Sequence, residues 1–385
     1  MADVEAFYSI RAPLITLSKI IGVGVWNRER TLTPASYYLM ANMVAYNVCT
    51  GYTILKHASD PIELMQCTII FGVASLLIFK FFISIYKKKV MSNLFDLTEE
   101  NVYRRYSVGI PEEKAIVAKT SRYLSIVWKL MSALYFSTLF VFSTWPIYVY
   151  YTENRLVPLF SYEIPMVDTN QAIGYGLTML FHVNIYLLGV FGAIISDYMF
   201  VFLAFHALAC TDLFILHLAQ LETLLNADSH EKDNSKIAEN WLLCMQDHQF
   251  ATEFYNTTED IFSFICMVQV FTCVYTICDA MLLITLNDWY AAYCFLLVVF
   301  GNMAIYFILG NFVELKLDEM YDSITALSWN LLTLSQQKEY HYMLARSQRP
   351  MMLTIFGFVP MNFESYMSVL RMLYQFFVMV MQYMS

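Results

Sequence analysis

Seven stretches of this chain stay apolar for about 20 residues or more, the length a helix needs to cross the hydrocarbon layer of a bilayer. They run from Pro34 to Lys56, Pro61 to Tyr86, Tyr123 to Tyr151, Gln171 to Leu208, Ile261 to Leu286, Trp289 to Phe312, and from Met351 or Asn362 to Tyr383. Hydrocarbon offers no water to bond an exposed peptide group, so each stretch must satisfy its own backbone as a helix. The expected fold is an all-α membrane protein with seven transmembrane helices. Pro34, Pro61 and Pro350 fall at or just before starts, where a missing N–H costs nothing.

Composition agrees. Only 14% of the 385 residues are charged, against about 25% in a soluble domain. The net charge of −9 and the lack of a basic stripe argue against a nucleic-acid partner. Eight scattered cysteines include no CxxC pair, and most sit in apolar runs as small hydrophobes. No His/Glu metal spacing, Gly-rich phosphate loop or Ser/His/Asp set appears, so neither catalysis, a metal nor a cofactor is expected.

Lys and Arg crowd alternate connections. Arg11, Lys19, Arg28, Arg30, Lys87 to Lys89, Arg104 to Lys129, Lys232, Lys236, Lys316, Lys338, Arg346 and Arg349 share one side, against Lys56 and Arg155 on the other. Positive charge stays inside, which predicts a cytoplasmic N-terminus and an extracellular C-terminus. The chain then divides into a cytoplasmic or interfacial N-terminal helix (1–33), spans one to four (34–208), and a cytoplasmic loop with helix extensions (209–260). Spans five and six (261–313), a cytoplasmic anchor helix (314–350) and the last span (351–385) follow. Asn226 to Asn240 is polar enough to be an exposed loop.

Two stretches carry mechanism. Met320, Ile324, Leu327, Leu331 and Leu334 recur at spacings of 4, 3, 4 and 3, a heptad seam that packs either within one subunit or between subunits. On the last span Ser368, Gln375 and Gln382 lie seven apart, nearly on one line of a helix, with Arg371 about 60° to one side. Such a stripe can bond neighbouring helices, line a pore shared by several copies, or line a path within one subunit. In the fourth run Asp197 is either functional or the buried partner of a cation; His182 and Asn184 share that run.

Tyr321 with Trp329, the run Arg346-Ser347-Gln348-Arg349-Pro350, and a closing helix ending Val380-Met381-Gln382 resemble the C-terminal signature of insect odorant receptors. The shared co-receptor of that family, Orco, ends in a pattern similar to Val369-Leu370 and Phe377 to Gln382. Co-receptors carry a long loop between spans four and five, and this chain does not, so it resembles a variable, odorant-tuning subunit. The resemblance implies a plasma-membrane protein of sensory-neuron dendrites, surrounded by lipid. It implies a heterotetramer with Orco whose last helices surround one cation pore, and an inter-subunit anchor before the last span. It places a hydrophobic constriction at Val378 and Met379 and a polar ring at Gln382. Arg371 departs from the co-receptor's small residue, and four such cations around one axis would oppose cation passage. That favours few copies of this chain per tetramer, or an Arg371 turned off-axis.

The resemblance also implies a cavity for a small volatile organic ligand in the outer half of spans two to six. By spacing, the matching positions are Ile70, Phe71 and Ala74; Thr138, Val141 and Trp145; Tyr175 and Met179; and Tyr290 and Tyr293. The best hydrogen-bond candidates are Thr138, Tyr290 and Tyr293. A gustatory-type receptor of the same fold is the nearest alternative. A G-protein-coupled receptor lacks support because no D-R-Y or N-P-x-x-Y stands in place and the charge asymmetry is inverted. A secondary transporter predicts inverted repeats that are not seen.

Overall fold

The computed structural model describes residues 2–24, 32–227, 233–286, 290–349 and 351–384. The expected start of the sixth run at Trp289, Pro350 just before the expected start of the last run, and the terminal Ser385 lie outside the described residues, as does the side chain of Tyr290. Ten α-helices occur among the described residues: α1 (Ala2–Ile20), α2 (Pro34–Lys56), α3 (Pro61–Tyr86), α4 (Lys88–Thr98), α5 (Pro111–Glu153), α6 (Ala172–Leu225), α7 (Asn234–Leu286), α8 (Tyr290–Ala326), α9 (Leu334–Ser347) and α10 (Phe363–Met384). A π-helical turn, Glu99–Arg104, joins the region of α4 to α5, and one small hairpin pairs β1 (Thr354–Ile355) with β2 (Val359–Pro360).

Local chemistry sets the starts. Pro34 and Pro61 are first-turn residues behind the caps Thr33 and Asp60; Thr33 and Ser36 form a reciprocal capping box, and Asp60 accepts the N–H groups of Ile62 and Glu63. Asn362 Oδ1 accepts the Ser365 N–H at 3.0 Å at the start of α10. Five helices are long and apolar enough to cross a membrane among the described residues: α3, α5, α6, α7 and α8 from Phe295 onward. Helices α2 and α10, expected as spans, are not among these five.

The middle of α6 is the pillar. Seven consecutive residues, Tyr198 to Ala204, are each at most 2% exposed, so this helix is apolar all round because it is surrounded all round, with α5, α7 and α8 as its main partners. The outer helices instead turn apolar side chains outward, with Phe140 73%, Phe271 79% and Leu297 70% exposed. Water would not tolerate such faces on so many helices; lipid does.

Several boundaries differ from expectation. Helices α5, α6 and α7 run well past their apolar segments; α7 already begins at Asn234, inside the stretch expected as loop, because Ile237 and Trp241 are buried against α6 and the end of α8. The N-terminal helix α1 is not merely interfacial: Phe7, Ile10 and Leu14 enter the main core, and Arg11 pairs with Glu99 at 2.5 Å.

The expected continuous anchor helix over 314–350 is also corrected. Helix α8 stops at Ala326, Trp329–Leu331 forms a 3-10 turn, and α9 restarts behind the Thr333 cap. Met320, Ile324 and Leu327 are buried within this protomer beside Phe214, Leu221 and Trp241, whereas Leu331 and Leu334 are 42% and 71% exposed. The heptad seam is therefore not one stripe. Glu222 holds the break in place, accepting both the N–H (2.8 Å) and hydroxyl (2.5 Å) of Ser328.

Candidate functional site

Helices α3, α5, α6, α7 and α8 converge on a cavity of ≈ 170 Å³, with Tyr46 of α2 completing one wall. Each helix contributes one face at helical spacing: Ile70, Ala74 and Leu77; Tyr135, Thr138 and Phe142; Ile185, Gly189, Ala193 and Asp197; Gln269, Cys273 and Thr276; Phe295, Val299 and Asn302. A smaller cavity of ≈ 80 Å³ shares Tyr46, Ala74, Leu77, Lys80, Ile185 and Gly189 with it.

Aromatic rings close the end nearer the α5–α6 loop. Phe142 meets Phe295 edge-on at 4.9 Å, and Phe160 and Tyr162 of the loop are stacked at 5.8 Å. His182 pins that loop. Its Nδ1 accepts the Phe160 N–H at 3.3 Å, so the imidazole is neutral with the proton on Nε2, which donates to the Tyr162 carbonyl at 3.1 Å. The sequence shows His182 but not this role.

The opposite end is a buried polar centre. Lys80 and Asp197, 2% and 1% exposed, form an ion pair between α3 and α6. Asp197 also accepts hydrogen bonds from the hydroxyls of Tyr135 and Tyr306 (the latter at 2.8 Å) and from the Asn302 amide at 3.0 Å. A buried pair is tolerable only when its remaining lone pairs are satisfied, and these three donors do that. Asp197 is thus the partner of a buried cation. Lys80, central in the apolar run LLIFKFFIS, is the signal that sequence reasoning passed over.

Of the expected cavity residues, Ile70, Ala74 and Thr138 line it. Thr138 is already engaged, donating to the Tyr135 carbonyl at 2.6 Å and accepting from Tyr186 at 2.7 Å. Phe71 is 38% exposed and Tyr293 55% exposed, and neither lines the cavity. Val141 is half-buried on another face, Trp145 stacks on Tyr148 at 6.1 Å, and Tyr175 reaches the Val157 carbonyl at 3.4 Å. Met179 packs behind the aromatic roof. The spacing argument sat too near the loop end; on α6 the lining begins at Ile185, beyond both Tyr175 and Met179.

A second polar line runs down α10. Ser368, Gln375, Met379 and Gln382 are all exposed in the protomer, as is Arg371, and Val378 is half-buried. At 100° per residue Met379 falls within about 20° of Ser368, so this residue of the expected constriction shares the polar line's face, with Val378 about 80° to one side. The other side of α10 packs on α7 and α8, with Leu373 2% exposed and the Tyr366 ring 5.1 Å from Phe307. Gly310 permits the approach of this region, since a Cβ there would stand 2.0 Å from the Met361 carbonyl oxygen.

Lipid-facing helices around a largely apolar cavity define a multi-span membrane receptor architecture. The model of the family described as "7tm Odorant receptor" matches residues 60–374, and the chain belongs to that family. It is 22% identical over 382 residues to "Putative odorant receptor 83c" of Drosophila melanogaster, covering 95% of this chain and 94% of that one. Its fold is similar to the olfactory receptor OR5 of Machilis hrabei in complex with eugenol, at TM-score 0.78, 12% identity, and 98% and 99% coverage of the two chains. A second structure of the same receptor, OR5 of Machilis hrabei, gives TM-score 0.71, 13% identity, and 90% and 89% coverage of the two chains.

Proposed function

We propose that this chain is the odorant-sensing subunit of a heteromeric ligand-gated, non-selective cation channel. The observation that carries this reading is the cavity, whose walls belong to five helices at once. A ligand that fits it better in one arrangement of those helices shifts the population toward that arrangement. The eugenol complex of the similar Machilis receptor supports a small organic ligand here. In this reading α2 and α10 join the five apolar helices as spans, giving seven, with the N-terminus cytoplasmic and the C-terminus extracellular at the plasma membrane of a sensory dendrite. The Lys/Arg distribution supports that orientation.

Orco is the proposed partner in a heterotetramer. The face of α10 carrying Ser368, Gln375, Met379 and Gln382 then lines the shared pore, with Val378 and Met379 forming an apolar gate that opens by widening and wetting. Its exposure in the protomer supports this placement. Leu331 and Leu334 are the proposed inter-subunit part of the anchor, while Met320, Ile324 and Leu327 support it from within.

The test is electrophysiological. Cells expressing this chain with Orco are exposed to a panel of volatile organic compounds, and currents are recorded against cells expressing Orco alone. Odorant-specific cation currents that require this chain are expected. An odorant profile identical with and without it would refute the sensing role.

A further inference from the structure

Asn302 holds its amide in one orientation. Its Nδ2 donates to the Tyr135 hydroxyl at 2.6 Å and to Asp197 Oδ2 at 3.0 Å. The reverse orientation would press the amide oxygen against a carboxylate, so the neighbours fix which atom is which. Oδ1 is consequently committed to other company, yet this buried oxygen has no partner in the protein. Asn302 lines the cavity, and four further lining residues repeat the pattern: Gln269 Oε1, Thr276 Oγ1 and the hydroxyls of Tyr46 and Tyr162 are buried and without partners, each on a side chain at most 2% exposed.

Buried polar groups almost always have a partner, and an unmet one is costly. Five unmet oxygens around one apolar cavity are polar groups that its occupant must serve. The two amide oxygens can only accept, and the threonine and tyrosine hydroxyls can donate as well. A hydroxyl is the small neutral group able to donate to an amide oxygen while accepting from a threonine. An ether or ester oxygen accepts only, and leaves the amide oxygens unmet. A water molecule could serve the same oxygens, so an occupant without a donor displaces that water and replaces none of its bonds to them.

Size narrows the class further. An apolar protein cavity of about 150 Å³ takes up benzene, and this one has ≈ 170 Å³ with a ≈ 80 Å³ annex sharing its walls. That suits one ring with a short substituent, or a chain of comparable bulk. Lys80 does not invite an acid, because it is already neutralised by Asp197.

We propose that the cavity is specific for compact neutral molecules bearing one hydroxyl, a phenol or an alcohol, whose O–H is donated to Asn302 Oδ1 or Gln269 Oε1 at the polar end. This rests on the cavity being the odorant site. The donor makes the difference between a hydroxyl compound and its methyl ether, with the apolar body in the same place.

Matched pairs test it without altering the protein: 4-propylphenol against 4-propylanisole, and octan-1-ol against 1-methoxyheptane. Binding is measured directly on the purified receptor by thermal shift over a concentration series, and potency by current recordings with Orco. Both hydroxyl compounds should bind about tenfold or more tightly than their ethers, tenfold corresponding to 1.4 kcal/mol. Thr276→Val and Gln269→Leu should narrow that ratio, and Asn302→Leu should bring it toward one while the ethers still bind. Equal binding within each pair, tighter ethers, or no binding of any of the four compounds would overturn the hydroxyl specificity. Robust currents to donor-free odorants would do so while leaving the odorant-sensing function standing. Loss of every odorant response alongside a preserved hydroxyl preference in binding would instead refute the sensing role alone.

Discussion

The polar groups of the cavity and those of α10 are handled in opposite ways. At the cavity, Lys80, Asp197, Tyr135, Tyr306 and Asn302 turn inward from four helices and answer one another. On α10, Ser368, Arg371, Gln375 and Gln382 turn out of the protomer. The first arrangement makes the fold of one subunit depend on its polar groups. The second presents them on the outer face of the subunit, which fits a helix that meets other copies or water. Polarity in an apolar helix thus has two uses, and only its direction separates them.

The sharpest break of that contrast is Asp197→Ala. It strands Lys80 as an unpaired buried cation, and removing one partner of such a pair costs about 3–5 kcal/mol. We expect little receptor at the cell surface, measured by surface labelling. Arg371→Ala, on the outward helix, should change stability by less than about 0.5 kcal/mol. Similar surface levels for the two variants would erase the distinction.

A smaller effect separates true lining from neighbouring aromatics. Phe142→Leu should move odorant potency by about tenfold, or 1.4 kcal/mol, because Phe142 lines the cavity against Phe295. Trp145→Ala should leave dose–response curves in place, since its ring rests on Tyr148. The reverse ranking would shift the ligand site toward the α5–α6 loop.

A third buried polar group tests whether inward polarity always stabilises. His217 is 0% exposed and lies on α6 beyond its apolar stretch, between Asp247 Oδ2 at 2.5 Å and Glu113 Oε1 at 2.8 Å, with Arg105 3.3 Å from Asp247 and the Tyr106 ring at 5.9 Å. Burial opposes its charge, but the hydrogen bonds to Asp247 and Glu113 outweigh that and raise its pKa above the ordinary 6.5. With the folded pKa raised, this stabilisation is complete below pH 6.5 and is lost as pH rises through the folded value. Purified receptor should therefore melt at progressively lower temperature as pH climbs above 6.5, and His217→Gln should flatten that slope. An unchanged slope in the variant would remove His217 from the pH response.

The smallest effect concerns the outward line. Gln382→Glu should raise and Gln382→Lys lower cation conductance of the mixed channel by a few-fold, about the scale on which a fixed charge changes local ion concentration, with odorant potency little changed. Identical permeation would place α10 behind the pore wall.

How much of this was legible beforehand varies by element. The starts of α2 and α3 follow from Thr33-Pro34 and Asp60-Pro61, because capping is local chemistry. The seam from Met320 to Leu334 was misread as one stripe, because a heptad count cannot register Glu222, about 100 residues away, capturing Ser328. Of the nine expected cavity residues whose side chains are described, Ile70, Ala74 and Thr138 line the cavity, since spacing gives the period of a helix but neither its depth nor its rotation against its neighbours.

The sequence by itself determined that this chain lives in lipid, as helices, with a polar line on its last helix. Those properties depend on composition and on spacing within a single element, and a bilayer enforces them whatever the packing. The tertiary structure alone decided that Lys80 belongs to Asp197, that His182 pins the loop over the cavity, and that Asn302 is left with a spare acceptor. Each depends on which faces of distant helices meet, and helix–helix registry is settled by the packing of the whole bundle.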